Sequence, residues 1–580
     1  MTDQRNLVLA IALSIAILLG FQYFVPSAPQ KPPPEAQKAG ETTAPGQQAA
    51  PAQVPGTVPG APIAPVITVR ERAAVLAESP RVAIDGKRVA GSINLKGARI
   101  DDVVLKDYHV TVDKKSANIT LFSPPGTEHP YYAEAGIAQT NGLKTPGPDT
   151  VWTADKQKLT SGDRVTLSWD NGEGQVFKRT IALDDNYMFT ITQSVENKGA
   201  APIAVTPYAL VSRHGTPVTR GFYILHEGPI GVIGGSLQEP SYSDIAEARE
   251  KAVKSTGGWI GITDDYWLAA LVPPQDAEVT ASFKHFAGGA KKDIYQSDIL
   301  AQTREVAPGA STESVVRLFA GAKETYTIDA YAEKLGIDRF DRAIDWGWFY
   351  WLTKPIFQAM HWLNGVLGNF GLAILALTVV IKLIFFPLAQ TSYKAMSKMK
   401  ILQPELMKLR ERYKDDTQRI NQEMMALYKK HKVNPAAGCL PIVVQIPVFF
   451  ALYKVIFTTI EMRHAPFYGW IKDLSAPDPT SWINLFGLLP YDVPNLGPLY
   501  FFSLGVWPIL MGISMFLQQK LNPQPADPVQ AKMFMLMPIF FTFLLGSFAA
   551  GLVIYWTWNN LLSIAQQWTI MRRIPQPKTT

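Results

Sequence analysis

The stretch GLAILALTVVIKLIFFPL, residues 371–388, decides how this chain is organised. It is apolar apart from Thr378 and Lys382, which lie four residues apart and so share one face of a helix. A helix needs about 20 mostly apolar residues to cross a bilayer, so the stretch predicts a membrane span. A lysine in a span either faces protein or trapped water, or extends its ammonium group to the membrane surface. This stretch alone leaves both interpretations open.

Other apolar runs predict that this span belongs to a membrane-embedded α-helical bundle. Five clustered spans are predicted at 366–389, 440–460, 499–518, 533–549 and 551–570. A further apolar run at residues 7–25 precedes them and is predicted to be the first of six spans, so the five clustered spans are the second to the sixth. It is interpreted as an uncleaved anchor, because the core of a signal peptide has only about 7–15 residues; a signal peptide is the alternative. Lys and Arg accumulate after the second, fourth and sixth spans, which predicts that both termini are cytoplasmic.

The segment between the first and second spans has a different composition. Eleven prolines in residues 26–65 predict an extended linker that cannot bury enough apolar surface to fold. Short runs of alternating apolar and polar residues follow, separated by turn clusters such as Asp170-Asn171-Gly172. This pattern predicts a periplasmic antiparallel β-sandwich of roughly 250 residues. Because the linker and the separate fold isolate the sandwich from any site in the spans, most of the sandwich is predicted to be dispensable.

The complete predicted order has six parts. They are a cytoplasmic N-terminus with the first anchor (1–25), a Pro/Ala-rich linker (26–65), a periplasmic β-sandwich (66–325), an interfacial amphipathic helix (339–363), a five-span core (364–571) that contains a cytoplasmic helical hairpin (391–435), and a basic cytoplasmic tail (572–580).

The hairpin segment is the most basic part of the chain. Residues 391–435 hold eleven Lys or Arg and five Asp or Glu, a net charge of +6 (11 − 5), which equals that of the whole chain. Apolar residues at three- and four-residue spacing predict two short amphipathic helices that pair with each other. Their basic outer faces fit anionic lipid headgroups, and equally ribosomal RNA or an acidic protein.

Polar side chains in the predicted spans are concentrated toward the cytoplasmic side. They are Lys382, Gln445, Trp556, Asn559, Ser563, Gln566 and Gln567. They predict a hydrated cavity that opens to the cytoplasm, with hydrogen bonding between helices as the alternative. Lys454 lies near the outer end of the third span, on the opposite helical face from Gln445. It is predicted to extend to the outer surface.

Several function classes lack their characteristic residues. The predicted spans contain no Asp or Glu, which disfavours a carboxylate proton relay. The sequence has no GxxxxGK[ST] loop and no HExxH motif, and its eight histidines lack metal-ligand spacing. These observations predict no enzyme activity, no catalytic residues, no cofactor and no metal. A channel or secondary transporter, and a periplasmic scaffold, are the alternatives to be weighed.

Three segments carry a resemblance to a known family. They are QPELMKLRERYKDDTQRINQEMMALYKK (403–430), NPAAGCLPIVVQIP (434–447) and GLVIYWTWNNLLSIAQQ (551–567). With the order of anchor, β-sandwich and clustered spans, the chain resembles the Gram-negative type of the YidC insertase family over nearly its whole length. The resemblance implies a membrane protein insertase and chaperone that moves nascent transmembrane segments from the cytoplasm into the inner membrane, alone or with the Sec translocon.

The resemblance also implies a hydrophilic groove that is open to lipid. Lys382, Thr378 and Trp556 match positions that line this groove, and the polar residues Gln445, Asn559, Ser563 and Gln567 of the predicted spans complete the predicted groove. Lys382 aligns with a groove cation that is usually arginine; a lysine keeps the charge but loses the bidentate fork. A substrate's apolar helix would leave the groove between the second and sixth spans. The implied partners are nascent membrane proteins, the Sec translocon, the ribosome through the basic hairpin and tail, and anionic lipids.

Overall fold

The computed structural model describes residues 69–140, 142–219, 225–288, 292–413, 416–431, 433–434, 440–489, 491, 503–522 and 528–572. The predicted first anchor, the linker and the tail beyond residue 572 lie outside the described residues.

The N-terminal half of the described chain is built from β-strands. The first eleven are β1 (Arg81–Asp85), β2 (Val89–Asn94), β3 (Arg99–His109), β4 (Asn118–Phe122), β5 (Tyr131–Ile137), β6 (Thr153–Ala154), β7 (Lys158–Thr160), β8 (Arg164–Asp170), β9 (Gln175–Leu183), β10 (Met188–Asn197) and β11 (Ile203–Val205). The others are β12 (Pro207–His214), β13 (Gly228–Ile233), β14 (Ser236–Gln238), β15 (Glu250–Thr256), β16 (Trp259–Thr263), β17 (Trp267–Val272), β18 (Glu278–Phe286), β19 (Ile294–Ala301), β20 (Arg304–Val306) and β21 (Ser311–Ala322).

The strands form two large sheets that pack on each other. One has the order β15-β18-β19-β12-β5-β3-β2-β1-β7, with β4 beside β3, and the other the order β14-β13-β16-β17-β21-β10-β9-β8-β6. Strands β11 and β20 form a separate pair. All pairings are antiparallel except that of β1 with β7. The hydroxyl of Ser297 in one sheet donates to the Gly261 carbonyl of the other at 2.8 Å.

Alternation along the strands explains the sandwich. Val165 and Leu167 in β8 are fully buried, and the residues between them are partly exposed. The chain reverses after Asp170, where Gly172 and Gly174 adopt positive φ and let β9 pair back on β8. The predicted antiparallel sandwich is confirmed, and the parallel β1–β7 pair is an addition to it.

Most of the helices lie in the C-terminal half of the described chain. Three helices flank or follow the sandwich: α1 (Arg72–Leu76), α2 (Tyr242–Ala248) and α3 (Thr325–Lys334). The remaining helices are α4 (Tyr350–Leu367), α5 (Phe370–Ile384), α6 (Phe386–Arg412), α7 (Thr417–Lys430), α8 (Leu440–Thr458), α9 (Val506–Leu521), α10 (Pro528–Gly546) and α11 (Ala550–Arg572). Short 3-10 helices occur at Phe340–Ala343, Ile460–Met462 and Trp482–Gly487.

The apolar stretch of residues 371–388 is bent. α5 ends at Ile384, and α6 continues after Phe385 at an angle of 66°. Pro387, the second residue of α6, has no N–H with which to continue the hydrogen bonds of α5, which explains the break. Among the described residues, α5 and α6 taken together are long and apolar enough to cross a membrane, and no single helix meets that requirement.

The segment predicted to be an interfacial helix has two faces. α4 buries Ile356, Phe357 and Met360, whereas Trp351 is 70% exposed and Trp348, just before the helix, is 98% exposed. The helix begins later than predicted and continues to Leu367.

The sandwich is joined to the helical bundle by partly buried polar contacts. A carboxylate oxygen of Glu461, just beyond α8, accepts a hydrogen bond from the Thr325 amide at 3.0 Å. The Arg463 guanidinium donates to the carbonyl of His109 in β3 at 2.7 Å.

Lys454 is also part of this junction. It is only 7% exposed and does not extend to the outer surface as predicted. Its ammonium group lies 2.6 Å from the carboxylate of Asp345, in the segment that connects the sandwich to α4. Helical spacing places Lys454 on the opposite face from Gln445, but it gives no information about Asp345, which is distant in the sequence.

Candidate functional site: a cationic cavity in the helical bundle

A cavity with a volume of about 860 Å³ lies within the helical bundle. Residues of α5, α6, α7, α8, α9, α10 and α11 line it. The lining includes five of the seven predicted groove residues: Lys382, Gln445, Trp556, Asn559 and Ser563. Its described lining holds two cations, Lys382 and Arg410, and no Asp or Glu.

Lys382 is held at the cavity wall by α11. Its ammonium group donates a hydrogen bond to the Ser563 hydroxyl at 2.8 Å, and that hydroxyl donates to the Asn559 carbonyl at 2.7 Å. No carboxylate in the described residues lies within ion-pair distance of Lys382. An ammonium group has three N–H donors, and Ser563 uses one. Two N–H donors of Lys382 therefore remain for a polar group in the cavity.

Another part of the cavity wall comes from α8 and α11. The Gln445 amide donates to the Tyr555 hydroxyl at 2.5 Å. The Trp556 ring packs edge-on against Phe449, with ring centroids 4.7 Å apart. Tyr555 was missed by the sequence analysis although it precedes Trp556, because helical spacing placed the polar face of α11 at 556, 559 and 563.

Two predicted groove residues lie outside the cavity lining. Thr378 is 2% exposed, and its hydroxyl donates to the Ile374 carbonyl one turn earlier at 2.7 Å. Gln567 is also 2% exposed and donates to the Leu521 carbonyl at 3.1 Å, which joins α11 to the end of α9. Gln567 matches the alternative interpretation, in which polar residues form hydrogen bonds between helices, whereas the Thr378 bond stays within α5.

The helical hairpin formed by α6 and α7 contributes a part of the site that the sequence did not predict. One face of α6 lines the cavity at three- and four-residue intervals from Leu388 to Arg410, and Met424 and Tyr428 of α7 face it. The three- and four-residue spacing is visible in the sequence, where it predicted that the two hairpin helices pack on each other.

The predicted exit between the second and sixth spans is closed. The Trp558 indole on α11 donates to the Leu375 carbonyl of α5 at 3.2 Å, and Lys382 bonds to Ser563 across the same pair of helices. These helices correspond to the predicted second and sixth spans. The structure therefore contradicts an opening between them.

The apolar surfaces beside the cavity lie on α8 and α10. α8 exposes Val443, Ile446 and Phe450, and α10 exposes a longer series that includes Leu536 and Ile539. α10 packs closely on α9, because a Cβ added at Gly512 of α9 would lie only 2.1 Å from the Thr542 hydroxyl of α10. No comparable packing joins α10 to α8 in the part of the chain that the structure describes.

The same part of the chain contains no group of three or more His, Cys, Asp or Glu side chains arranged to hold a metal ion.

Comparisons with known proteins agree with this architecture. The family model described as "YidC periplasmic domain" matches residues 81–359, and the model described as "60Kd inner membrane protein" matches residues 362–577. A membrane protein insertase YidC of Methylobacterium sp. (strain 4-46) is 53% identical, covering 98% of this chain and 95% of the relative. The chain belongs to the YidC family of membrane protein insertases. The YidC relative of Methylobacterium nodulans is 54% identical with the same coverage.

A solved structure of an active YidC insertase, with its first transmembrane domain resolved, covers 86% of this chain and 93% of its own chain, at 17% identity and a TM-score of 0.35. Membership of the YidC family makes this chain a membrane protein insertase of the inner membrane with a periplasmic domain. The periplasmic family model coincides with the β-sandwich, α3 and most of α4, and the second model with the helices that build the cavity.

Proposed function

We propose that this chain inserts nascent membrane proteins by receiving a polar substrate segment in the Lys382 cavity. The observation that carries the proposal is a lysine that no described carboxylate neutralises, bonded to Ser563 in a cavity whose described lining has no acidic residue. A polar segment is costly to transfer into hydrocarbon, and a cavity lined by amide and hydroxyl groups lowers that cost. The positive charge favours segments that carry Asp or Glu. The proposal includes no bond-forming or bond-breaking step and no cofactor.

The substrate's apolar helix then leaves between α8 and α10. Both helices present exposed apolar side chains beside the cavity, and Ile446, Phe450 and Met537 belong both to those exposed surfaces and to the cavity lining. Burial of apolar surface in lipid supplies the driving force for this step.

The topology and the partners belong to the same proposal. Six spans, cytoplasmic termini and the basic hairpin are consistent with a cavity that opens to the cytoplasm, where nascent chains arrive. The exposed lysines of α6, among them Lys398 and Lys408, fit anionic lipid headgroups or ribosomal RNA. Cooperation with the Sec translocon is proposed from the family resemblance.

Site-specific photo-cross-linking tests the exit path. A photoreactive residue at Ile446 or Met537 is expected to cross-link to the apolar helix of a single-span substrate during insertion into liposomes. The matched control is Leu375, which lies at the closed contact between α5 and α11. Cross-links from Leu375 that equal those from Ile446 would contradict the proposed exit.

A further inference from the structure

The connection between α8 and α9 contains an apolar turn that lies outside the Lys382 cavity. The turn comprises residues 482–489 and holds no Asp, Glu, Lys or Arg. Leu485, Phe486, Leu488 and Leu489 are all exposed, and Leu488 is 84% exposed. Apolar side chains that lie together on a surface mark a contact with another protein or with lipid.

The backbone of the turn is held in an unusual conformation. Leu485 has φ 49° and ψ 46°, and Phe486 has φ 59° and ψ 33°. Residues with a Cβ rarely adopt this left-handed conformation. The Phe486 amide donates to the Ser481 carbonyl at 2.6 Å, and the Gly487 amide donates to the Asn484 side chain at 3.0 Å. A strained conformation that the surrounding hydrogen bonds fix is typical of a segment with a function.

Hydrogen bonds also fix the position of the turn in the helical bundle. The Trp482 amide donates to the Leu504 carbonyl, just before α9, at 3.0 Å. The amide of Ala550, the first residue of α11, donates to the Ala476 carbonyl at 2.7 Å. The turn therefore lies at the N-terminal ends of α9 and α11, whereas Lys520 lies in the last turn of α9.

The length of α9 indicates what the turn contacts. α9 has 16 residues, which extend over about 24 Å at 1.5 Å per residue. The hydrocarbon core of a bilayer is about 30 Å thick, so α9 is about 6 Å too short to cross it. In the proposed topology Lys520 lies near the cytoplasmic surface. The missing apolar thickness is then at the N-terminal end of α9, where the turn lies.

Hydrogen bonds within the turn suit it to the membrane boundary. Non-helical backbone near hydrocarbon is costly unless its polar groups have partners. The Leu489 amide donates to the Asn484 carbonyl at 3.1 Å, and the Asn484 side chain donates to the Tyr491 carbonyl at 3.3 Å. The Tyr491 hydroxyl donates to the Ile483 carbonyl at 2.6 Å. Several polar groups are thus satisfied inside the turn, while the leucine side chains project outward.

We propose that residues 482–489 insert into the outer leaflet of the membrane and complete the apolar thickness that α9 lacks. The partner is the acyl region of the phospholipids, which an uncharged apolar turn fits better than an acidic or basic protein surface. The inference rests on the proposed topology and is independent of the role of Lys382.

Spin labels measure the depth of the turn directly. The full-length protein, with its single cysteine Cys439 replaced by serine, receives a nitroxide label at Leu488→Cys and is reconstituted in phosphatidylcholine/phosphatidylglycerol vesicles. The matched control is Val218→Cys, which labels an exposed valine between β12 and β13 of the sandwich. Oxygen concentrates in hydrocarbon, whereas a water-soluble nickel complex is excluded from it. The ratio of their collision rates with the label therefore reports its depth.

The label at Leu488 is expected to give an oxygen-to-nickel ratio several-fold above that at Val218. Leu485→Cys should give the same result at a second position, which excludes a local effect of one substitution. Equal ratios at Leu488 and Val218 would place the turn in water and overturn the inference. Low collision rates with both reagents would also overturn it, because they would show that protein covers the turn.

Discussion

The junction between the β-sandwich and the bundle is predicted to weaken as pH rises, because of Glu461. Burial raises the pKa of Glu461 to about 7 from 4.5. One carboxylate oxygen accepts from the Thr325 amide at the start of α3, and the other has no hydrogen-bond partner among the described residues. Nearby Glu324 adds a like charge that also raises this pKa, and the hydrogen bond from Thr325 opposes the shift.

The sign follows from proton binding. When the junction opens, Glu461 regains an ordinary carboxyl pKa and releases its proton at lower pH. Between about pH 4.5 and 7 the closed junction therefore binds more protons than the open one, so its stability is full at low pH and falls as pH rises. A shift of 2.5 pKa units (7 − 4.5) corresponds to about 3 kcal/mol, most of it lost by pH 7.

Glu461→Gln removes the charge and keeps an oxygen that can accept from Thr325. We expect the variant to match the wild type in thermal unfolding temperature near pH 5 and to exceed it near pH 8. The matched control is Glu333→Gln, which neutralises an exposed glutamate of α3. Measuring each variant against the wild type at each pH cancels the contributions of other groups that titrate. A difference between Glu461→Gln and the wild type that does not change with pH would refute the reasoning.

Two further predictions concern packing and charge in the bundle. Gly512→Ala should destabilise the protein by about 1–3 kcal/mol, because a Cβ there meets the Thr542 hydroxyl at 2.1 Å. Adding Thr542→Ala should recover the lost stability, and thermal unfolding measures both effects. Lys454→Ala should cost about 3 kcal/mol, since it leaves the Asp345 carboxylate without its 2.6 Å partner. The double variant Lys454→Ala/Asp345→Asn should lose less stability than Lys454→Ala. Equal losses of stability in the two variants would contradict a buried ion pair.

The elements that follow a single local period were predictable from the sequence. Alternation at Val165 and Leu167 predicted β8, and the turn residues after Asp170 predicted the reversal into β9. The apolar runs predicted the helices of the bundle. Lys382 could be assigned to a cavity because polar residues of other predicted spans, among them Gln445 and Asn559, lie toward the same side.

The features that depend on distant partners were not predictable. Lys454 was predicted to lie at the outer surface because its ion-pair partner, Asp345, is far away in the sequence, in the segment before α4. The closed contact between α5 and α11 depends on the Trp558 indole reaching the Leu375 carbonyl, which helical periodicity does not encode. The 66° bend did have a local signal in Pro387, but the apolar character of the surrounding residues favoured one continuous span.

The central claim is that the positive charge of Lys382 receives a polar substrate segment. The most direct test compares insertion of a newly made single-span substrate with an acidic polar segment by the wild type, Lys382→Glu and Lys382→Arg in liposomes, with protease protection as the measurement. The account predicts that protection is lost in Lys382→Glu and kept in Lys382→Arg. Full protection with Lys382→Glu would contradict it.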